Sequence, residues 1–191
     1  MQLNLPTLLT LLRIALIPVF VGAFFLPFHS ANVLCAALFG LAALTDWLDG
    51  YLARRFDQIS AFGAFLDPVA DKLMVAAALV LLVQAIPTPW MAVAAVIIIG
   101  REIAISALRE WMAQIGNHGR VAVSMVGKLK TTAQMVAVLL LLYREPLGGF
   151  PTLDVGLGLL LIAAALTLWS MLHYLLAAWP AFRQDEQGRK A

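Results

Sequence analysis

The sequence predicts an all-α integral membrane protein with six transmembrane helices and both termini cytoplasmic. Three observations carry that expectation. Of 191 residues, 62% are hydrophobic and only 13% charged, against roughly 45–50% apolar and about 25% charged in an ordinary soluble domain. The mean hydropathy is +0.90. The apolar residues fall into six runs near the ~20 residues that a spanning helix needs, and Lys and Arg gather in alternate breaks between them. A net charge of +2 gives no reason to invoke nucleic acid, and the lone Cys35 excludes an internal disulfide.

The first run, residues 7–26, contains Arg13 and lacks a basic segment ahead of it, so it reads as a retained helix and not as a cleaved signal peptide. The break Pro27-Phe28-His29-Ser30 ends it, because proline cannot continue a helix. Residues 31–54 and 61–84 form the second and third runs. They are apolar at their distant ends and acidic where they approach each other in sequence. Pro87-Thr88-Pro89 separates the third from the fourth, residues 90–112, which opens on Trp90 as an interfacial anchor would. Trp111 and Trp179 also fall near helix ends, whereas Trp47 and Trp169 read as packing residues. The fifth run, residues 129–143, stops at Glu145-Pro146-Leu147-Gly148-Gly149, and the sixth covers residues 152–178. A membrane domain over residues 1–182 then leaves 183–191 as a polar tail, expected to fray.

Orientation follows from the short loops. One side collects Arg54, Arg55, Arg109, Arg120, Lys128, Lys130 and the basic tail. The other holds His29, the uncharged Pro87 link, and Arg144 beside Glu145. The basic side is the cytoplasmic side.

Between residues 46 and 72 lies an unusual concentration of charge, which includes Asp46, Asp49, Asp67, Asp71, Arg54 and Lys72. Charge buried in apolar surroundings costs several kcal/mol unless paired or bound to metal, of order 3–5 kcal/mol for a stranded partner. Asp46 and Asp49 are three apart and Asp67 and Asp71 four apart, so each pair shares a helix face. At ~1.5 Å per residue, counting from the intervening loop places Asp49 and Asp67 ~9 Å deep, and Asp46 and Asp71 ~13–15 Å deep. Two antiparallel helices thus present matching acids across a seam. Hard oxygen donors without a nearby His or Cys suit two Mg²⁺ or Mn²⁺ ions and not Zn²⁺. Such ions can clamp a phosphoryl group. Gly50 and Gly63 permit close approach, and Arg54 can hold a phosphate. Single acids near helix ends also serve as caps or as partners of Arg, and intramembrane acids also build cation pathways. The joint spacing, and a position toward the cytoplasmic face, favour a phosphoryl-transfer site.

The pattern Asp46-x-x-Asp49-Gly50-x-x-Ala53-Arg54, eight residues, then Gly63-x-x-x-Asp67-x-x-x-Asp71 resembles the signature of the CDP-alcohol phosphotransferases. The blocks NLPTLLTLLRIALIPVF, FGAFLDPVADKLMVA, REIAISALREWMA, GKLKTTAQMVA and LTLWSMLHYL extend the likeness over most of the chain, toward bacterial members that use glycerol 3-phosphate as acceptor. The resemblance implies a six-helix enzyme of the bacterial cytoplasmic membrane, with its site on the cytoplasmic side and a homodimeric assembly. It implies CDP-diacylglycerol and glycerol 3-phosphate as substrates. By the same resemblance the four aspartates hold two divalent ions, with Asp71 also the general base. Asp46, Gly50, Ala53, Arg54 and Gly63 receive the cytidine diphosphate part.

An acceptor with its own phosphate calls for basic residues. Arg101 and Arg109 lie about two turns apart on the fourth run, Lys128 and Lys130 open the fifth, and Lys72 adjoins Asp71. Arg101 lies ~17 Å from Trp90, well inside the membrane. Its anion is Glu102, an aspartate, or a substrate phosphate. Arg13 either pairs with an acid or approaches a lipid headgroup. His173 reads as a hydrogen-bonded packing residue, and Gly156 and Gly158 as points where helices approach.

Overall fold

A computed structural model of the chain describes residues 4–27, 30–56, 61–114 and 125–188. They form six helices: α1 (Leu5–Phe24), α2 (Ala31–Phe56), α3 (Ala61–Ala85), α4 (Pro89–Gln114), α5 (Met125–Tyr143) and α6 (Thr152–Gly188). Among the described residues there is no strand, only an isolated bridge from Leu147 to Phe150 in the turn before α6. His29, His118 and Arg120 lie outside the described residues.

Among the described residues, three helices are long and apolar enough to cross a membrane, over Thr7–Phe24, Pro89–Met112 and Thr152–Leu176. In α2 and α5 the apolar stretches are shorter, Ala31–Asp46 and Lys130–Tyr143. The reason is local. Asp46 and Asp49 interrupt α2, Asp67, Asp71 and Lys72 interrupt α3, and Lys128 and Lys130 sit in the first turns of α5. The same charges that make the site spoil the hydropathy of the helices that carry it.

Helix boundaries follow from local chemistry. Pro6 in the first turn of α1 sacrifices no helical hydrogen bond, so α1 begins two residues earlier than expected. Thr88 caps α4, its Oγ1 accepting from the Met91 N–H at 3.2 Å, with Pro89 in the first helical position. After α5, Arg144 takes φ 61°, the left-handed turn that commonly closes a helix. Gly148 and Gly149 supply the further positive φ values, 55° and 90°. Pro18 and Pro68 are accommodated inside α1 and α3, as membrane helices often allow. At its far end α6 does not fray at Arg183 but runs on to Gly188. Arg183, Gln184, Glu186 and Gln187 are sound helix formers. Its 37 residues span about 55 Å at 1.5 Å each, well beyond the ~30 Å hydrocarbon core of a bilayer.

α1 packs against α2 and α3, α5 against α6 and α2, and α4 against α6 and α3. The shared core includes the fully buried Phe20, Phe39, Leu82, Ile98, Leu141 and Leu160. Val80, Val96, Ile103 and Leu176 point outward, an apolar exterior that suits lipid. Trp169 belongs to that exterior. It is 63% exposed, which corrects its reading as a packing residue. Its ring lies 4.9 Å from that of His173, and the His173 Nδ1 is 3.0 Å from the Trp169 carbonyl. His173 is therefore hydrogen-bonded as expected, but on an exposed face.

Of the two α6 glycines, one serves packing. A Cβ at Gly156 would stand 3.0 Å from Leu141 Cγ and 3.2 Å from Leu140 Cβ, whereas at Gly158 it would meet nothing within 4 Å. Gly156→Val should destabilise the detergent-solubilised protein by about 1–3 kcal/mol through overpacking. Gly158→Val should leave the melting temperature nearly unchanged. Equal melting shifts for both would remove Gly156 from the α5–α6 contact.

Candidate active site

Most of the buried charge gathers at one end of the bundle. That end takes the N-terminal halves of α1, α3 and α5 and the C-terminal halves of α2 and α4. Around this end stand Arg13, Asp46, Asp49, Asp67, Asp71, Lys72, Arg101 and Lys130.

α2 and α3 present their acids to α1. Arg13 is 1% exposed and its guanidinium forks between the two helices. Nη1 donates to Asp46 Oδ1 at 3.0 Å and also to Asp71 Oδ1, while Nη2 donates to Asp49 Oδ2. One turn earlier on the same face of α1, Thr10 Oγ1 donates to Asp67 Oδ1 at 2.6 Å. Of the two outcomes foreseen for Arg13, the structure takes the acid pairing. Asp49 is buried, 1% exposed, whereas Asp46 and Asp71 remain 39% and 38% exposed. Gly63 is buried close by in sequence, at the start of α3. Among the described residues no three carboxylates close by themselves into a cage around one point. Three of them instead converge on the guanidinium.

The donors are all carboxylate oxygens, the ligands of hard divalent cations. The volume between them already accommodates a positive charge. Arg13 offsets only one of the four negative charges, so the cluster still favours added cations. Divalent ions fit.

A second polar group lies on α3, α4 and α5. Arg101 Nη1 donates to Glu102 Oε1 at 2.5 Å, and Lys130 Nζ lies 3.9 Å from the same oxygen. The Lys72 ammonium donates to Ser106 Oγ, which in turn donates to the Glu102 carbonyl at 2.6 Å. Arg101, Lys130 and Lys72, expected together, are thus brought together. Lys130 is 3% exposed despite its charge. The Arg101 Nε is buried with no hydrogen-bond partner among the described residues.

Gly50, Ala53 and Arg54 lie in α2, Arg109 in α4 and Lys128 in α5, but their side chains are outside the described residues. The expectation for these five positions has no counterpart in the geometry. Thr10 and Ser106 join these groups without having been singled out from the sequence. A signal existed for Thr10, which stands three residues before a charged Arg in an apolar run and so shares its face. Glu102 was visible only as one of several partners for Arg101. Nothing marks Ser106 before α3 and α4 are placed side by side.

Residues 3–176 match the CDP-alcohol phosphatidyltransferase family. The chain belongs to this family. Family relatives resemble it over nearly their whole length. The chain is 58% identical over 178 residues to a CDP-diacylglycerol–glycerol-3-phosphate 3-phosphatidyltransferase of Pectobacterium atrosepticum, covering 93% of this chain and 96% of that one. Proteins of the same name are 56% identical in Sodalis glossinidius (93% and 96% covered) and 53% identical in Pseudomonas fluorescens (98% and 95%). In this CDP-alcohol phosphatidyltransferase the family signature therefore lies on α2 and α3, with α1 against it.

Proposed function

We propose that this protein transfers the phosphatidyl group of CDP-diacylglycerol to glycerol 3-phosphate, giving phosphatidylglycerol phosphate and CMP. The observation that carries the reading is the pairing of two sites at one end of the bundle. A carboxylate cluster suited to divalent ions stands on α2 and α3, and a buried basic group stands beside it on α3, α4 and α5. The 53–58% identity to proteins named for this reaction supports it.

Family membership implies divalent metal, and our reading takes two ions, Mg²⁺ or Mn²⁺, held by Asp46, Asp49, Asp67 and Asp71. Bound there, such ions would supply charge stabilisation for phosphoryl transfer. The chain's own groups do the rest. Gly50, Ala53, Arg54 and Gly63, with Asp46, receive the cytidine diphosphate part. Asp71, more than a third exposed, takes the proton from the acceptor's primary hydroxyl, whose oxygen attacks the phosphatidyl phosphorus as CMP leaves. Lys72, Arg101 and Lys130, with Arg109 and Lys128, hold the acceptor phosphate, and an anion there would engage the unused Arg101 Nε. Positioning and charge stabilisation suffice for such a displacement.

All six helices cross the bacterial cytoplasmic membrane, and both termini and the active site lie on the cytoplasmic side. Residues 1–182 form the membrane domain and 183–191 a cytoplasmic polar tail. The polar end of the bundle coincides with the loops richest in Lys and Arg, and α6 is long enough to project there. The homodimer implied by the resemblance completes the picture.

The test is CMP release by purified protein with CDP-diacylglycerol and Mg²⁺, comparing glycerol 3-phosphate with serine, inositol phosphate and phosphatidylglycerol. Release is expected only with glycerol 3-phosphate and should vanish with chelator. Lys130→Ala should raise the KM for glycerol 3-phosphate about tenfold or more, since a hydrogen bond to a charged group contributes ~1.5–3 kcal/mol, and leave that for CDP-diacylglycerol unchanged. Release with another acceptor would discard the basic pocket but keep the metal chemistry.

A further inference from the structure

We infer that α1 is the orienting element of the metal site, with Arg13 and Thr10 as positioning residues that hold all four carboxylates from one side. This rests on the metal reading above and goes beyond it, since neither residue belongs to the signature on α2 and α3.

The geometry is specific. Arg13 reaches Asp46 and Asp71 through one nitrogen and Asp49 through the other, and Thr10 reaches Asp67. Each of these bonds engages one oxygen of its carboxylate. The holding groups are deep, Thr10 and Arg13 each 1% exposed, while Asp46 and Asp71 remain 39% and 38% exposed. Holder and opening are therefore on different sides of Asp46 and Asp71. A guanidinium suits the task because it is permanently charged and its planar fork fixes several acceptors at once. Carboxylates that bind metal need their remaining lone pairs held, and losing such a holder typically weakens metal binding or activity roughly 10- to 100-fold.

An alternative role for Arg13 is that of a competitor, a built-in cation that a divalent ion must displace from the same oxygens. The two roles differ in sign. A competitor's removal tightens metal binding, and a positioner's removal loosens it.

The experiment is Mn²⁺ binding to the purified full chain, read by paramagnetic resonance of the free ion, with activity measured across Mn²⁺ concentration. Arg13→Gln should weaken Mn²⁺ binding roughly 10- to 100-fold, with Arg13→Lys intermediate because it keeps the charge but loses the fork. Activity should recover in large part at saturating Mn²⁺, a split that a general loss of fold would not produce. Thr10→Val, nearly isosteric, should weaken binding in the same direction and keeps the test open if Arg13→Gln does not fold. Unchanged or tighter Mn²⁺ binding in the folded variants would overturn this inference alone. A wild-type protein that binds no Mn²⁺ would overturn the metal reading and this inference with it.

Discussion

Asp71→Asn should lower CMP release by roughly 10²–10⁴-fold, the usual worth of a positioned acid–base group, while leaving the melting temperature close to that of the wild type. The structure explains why the two effects separate. Asp71 Oδ1 accepts from Arg13 Nη1, and an asparagine offers an amide oxygen in the same place, so the tie between α1 and α3 survives. What disappears is the ability to take a proton. Asp49 shows the contrast. At 1% exposed and bound to Nη2, it is closed to an acceptor hydroxyl. Asp46 is as open as Asp71, so Asp46→Asn is the informative control. It should weaken Mn²⁺ binding, and its activity should recover with added Mn²⁺, whereas that of Asp71→Asn should not. Substantial activity in Asp71→Asn would remove Asp71 from the role of base.

Much of this arrangement was legible because membrane helices are simple to punctuate. Pro27, Pro87 and Pro146 mark breaks that the structure keeps, and the six runs correspond to α1–α6 within a few residues except at the end of α6. That end was missed because a polar stretch beyond a membrane helix carries no signal separating continued helix from frayed coil. Paired acids at spacings of three and four located the carboxylate site from periodicity alone. Their partner was less accessible. Arg13 is 33 residues from Asp46 and 58 from Asp71, and no local pattern says which of two neighbouring helices a buried Arg will face. Ser106 is further from sequence logic still. Its link to Lys72 exists only because α3 packs on α4. Trp169 failed for a related reason, since an aromatic in an apolar run has the same signature whether it meets protein or lipid.

Arg13→Met should be the most destabilising single change in the polar end, and the cause is the partner it leaves behind. Arg13 and Asp49 are each 1% exposed. Removing the cation takes a charged partner from a carboxylate closed to solvent, and breaking a buried pair on one side costs about 3–5 kcal/mol. Asp46 and Asp71 suffer less, because their exposure lets solvent replace the lost guanidinium. The double variant Arg13→Met/Asp49→Leu should therefore recover most of the loss, since a buried ion pair replaced by apolar side chains is often neutral or stabilising. Yet it should remain inactive, lacking one metal-holding carboxylate and the group that orients two others. Unfolding of the two single variants and the double variant in denaturing detergent gives the coupling directly. Additive losses, with no recovery in the double variant, would mean that Asp49 draws its compensation from elsewhere and that the buried pair does not tie α1 to α2. Recovery of stability without recovery of turnover would separate the two tasks of Arg13, balancing buried charge and holding the catalytic carboxylates in place.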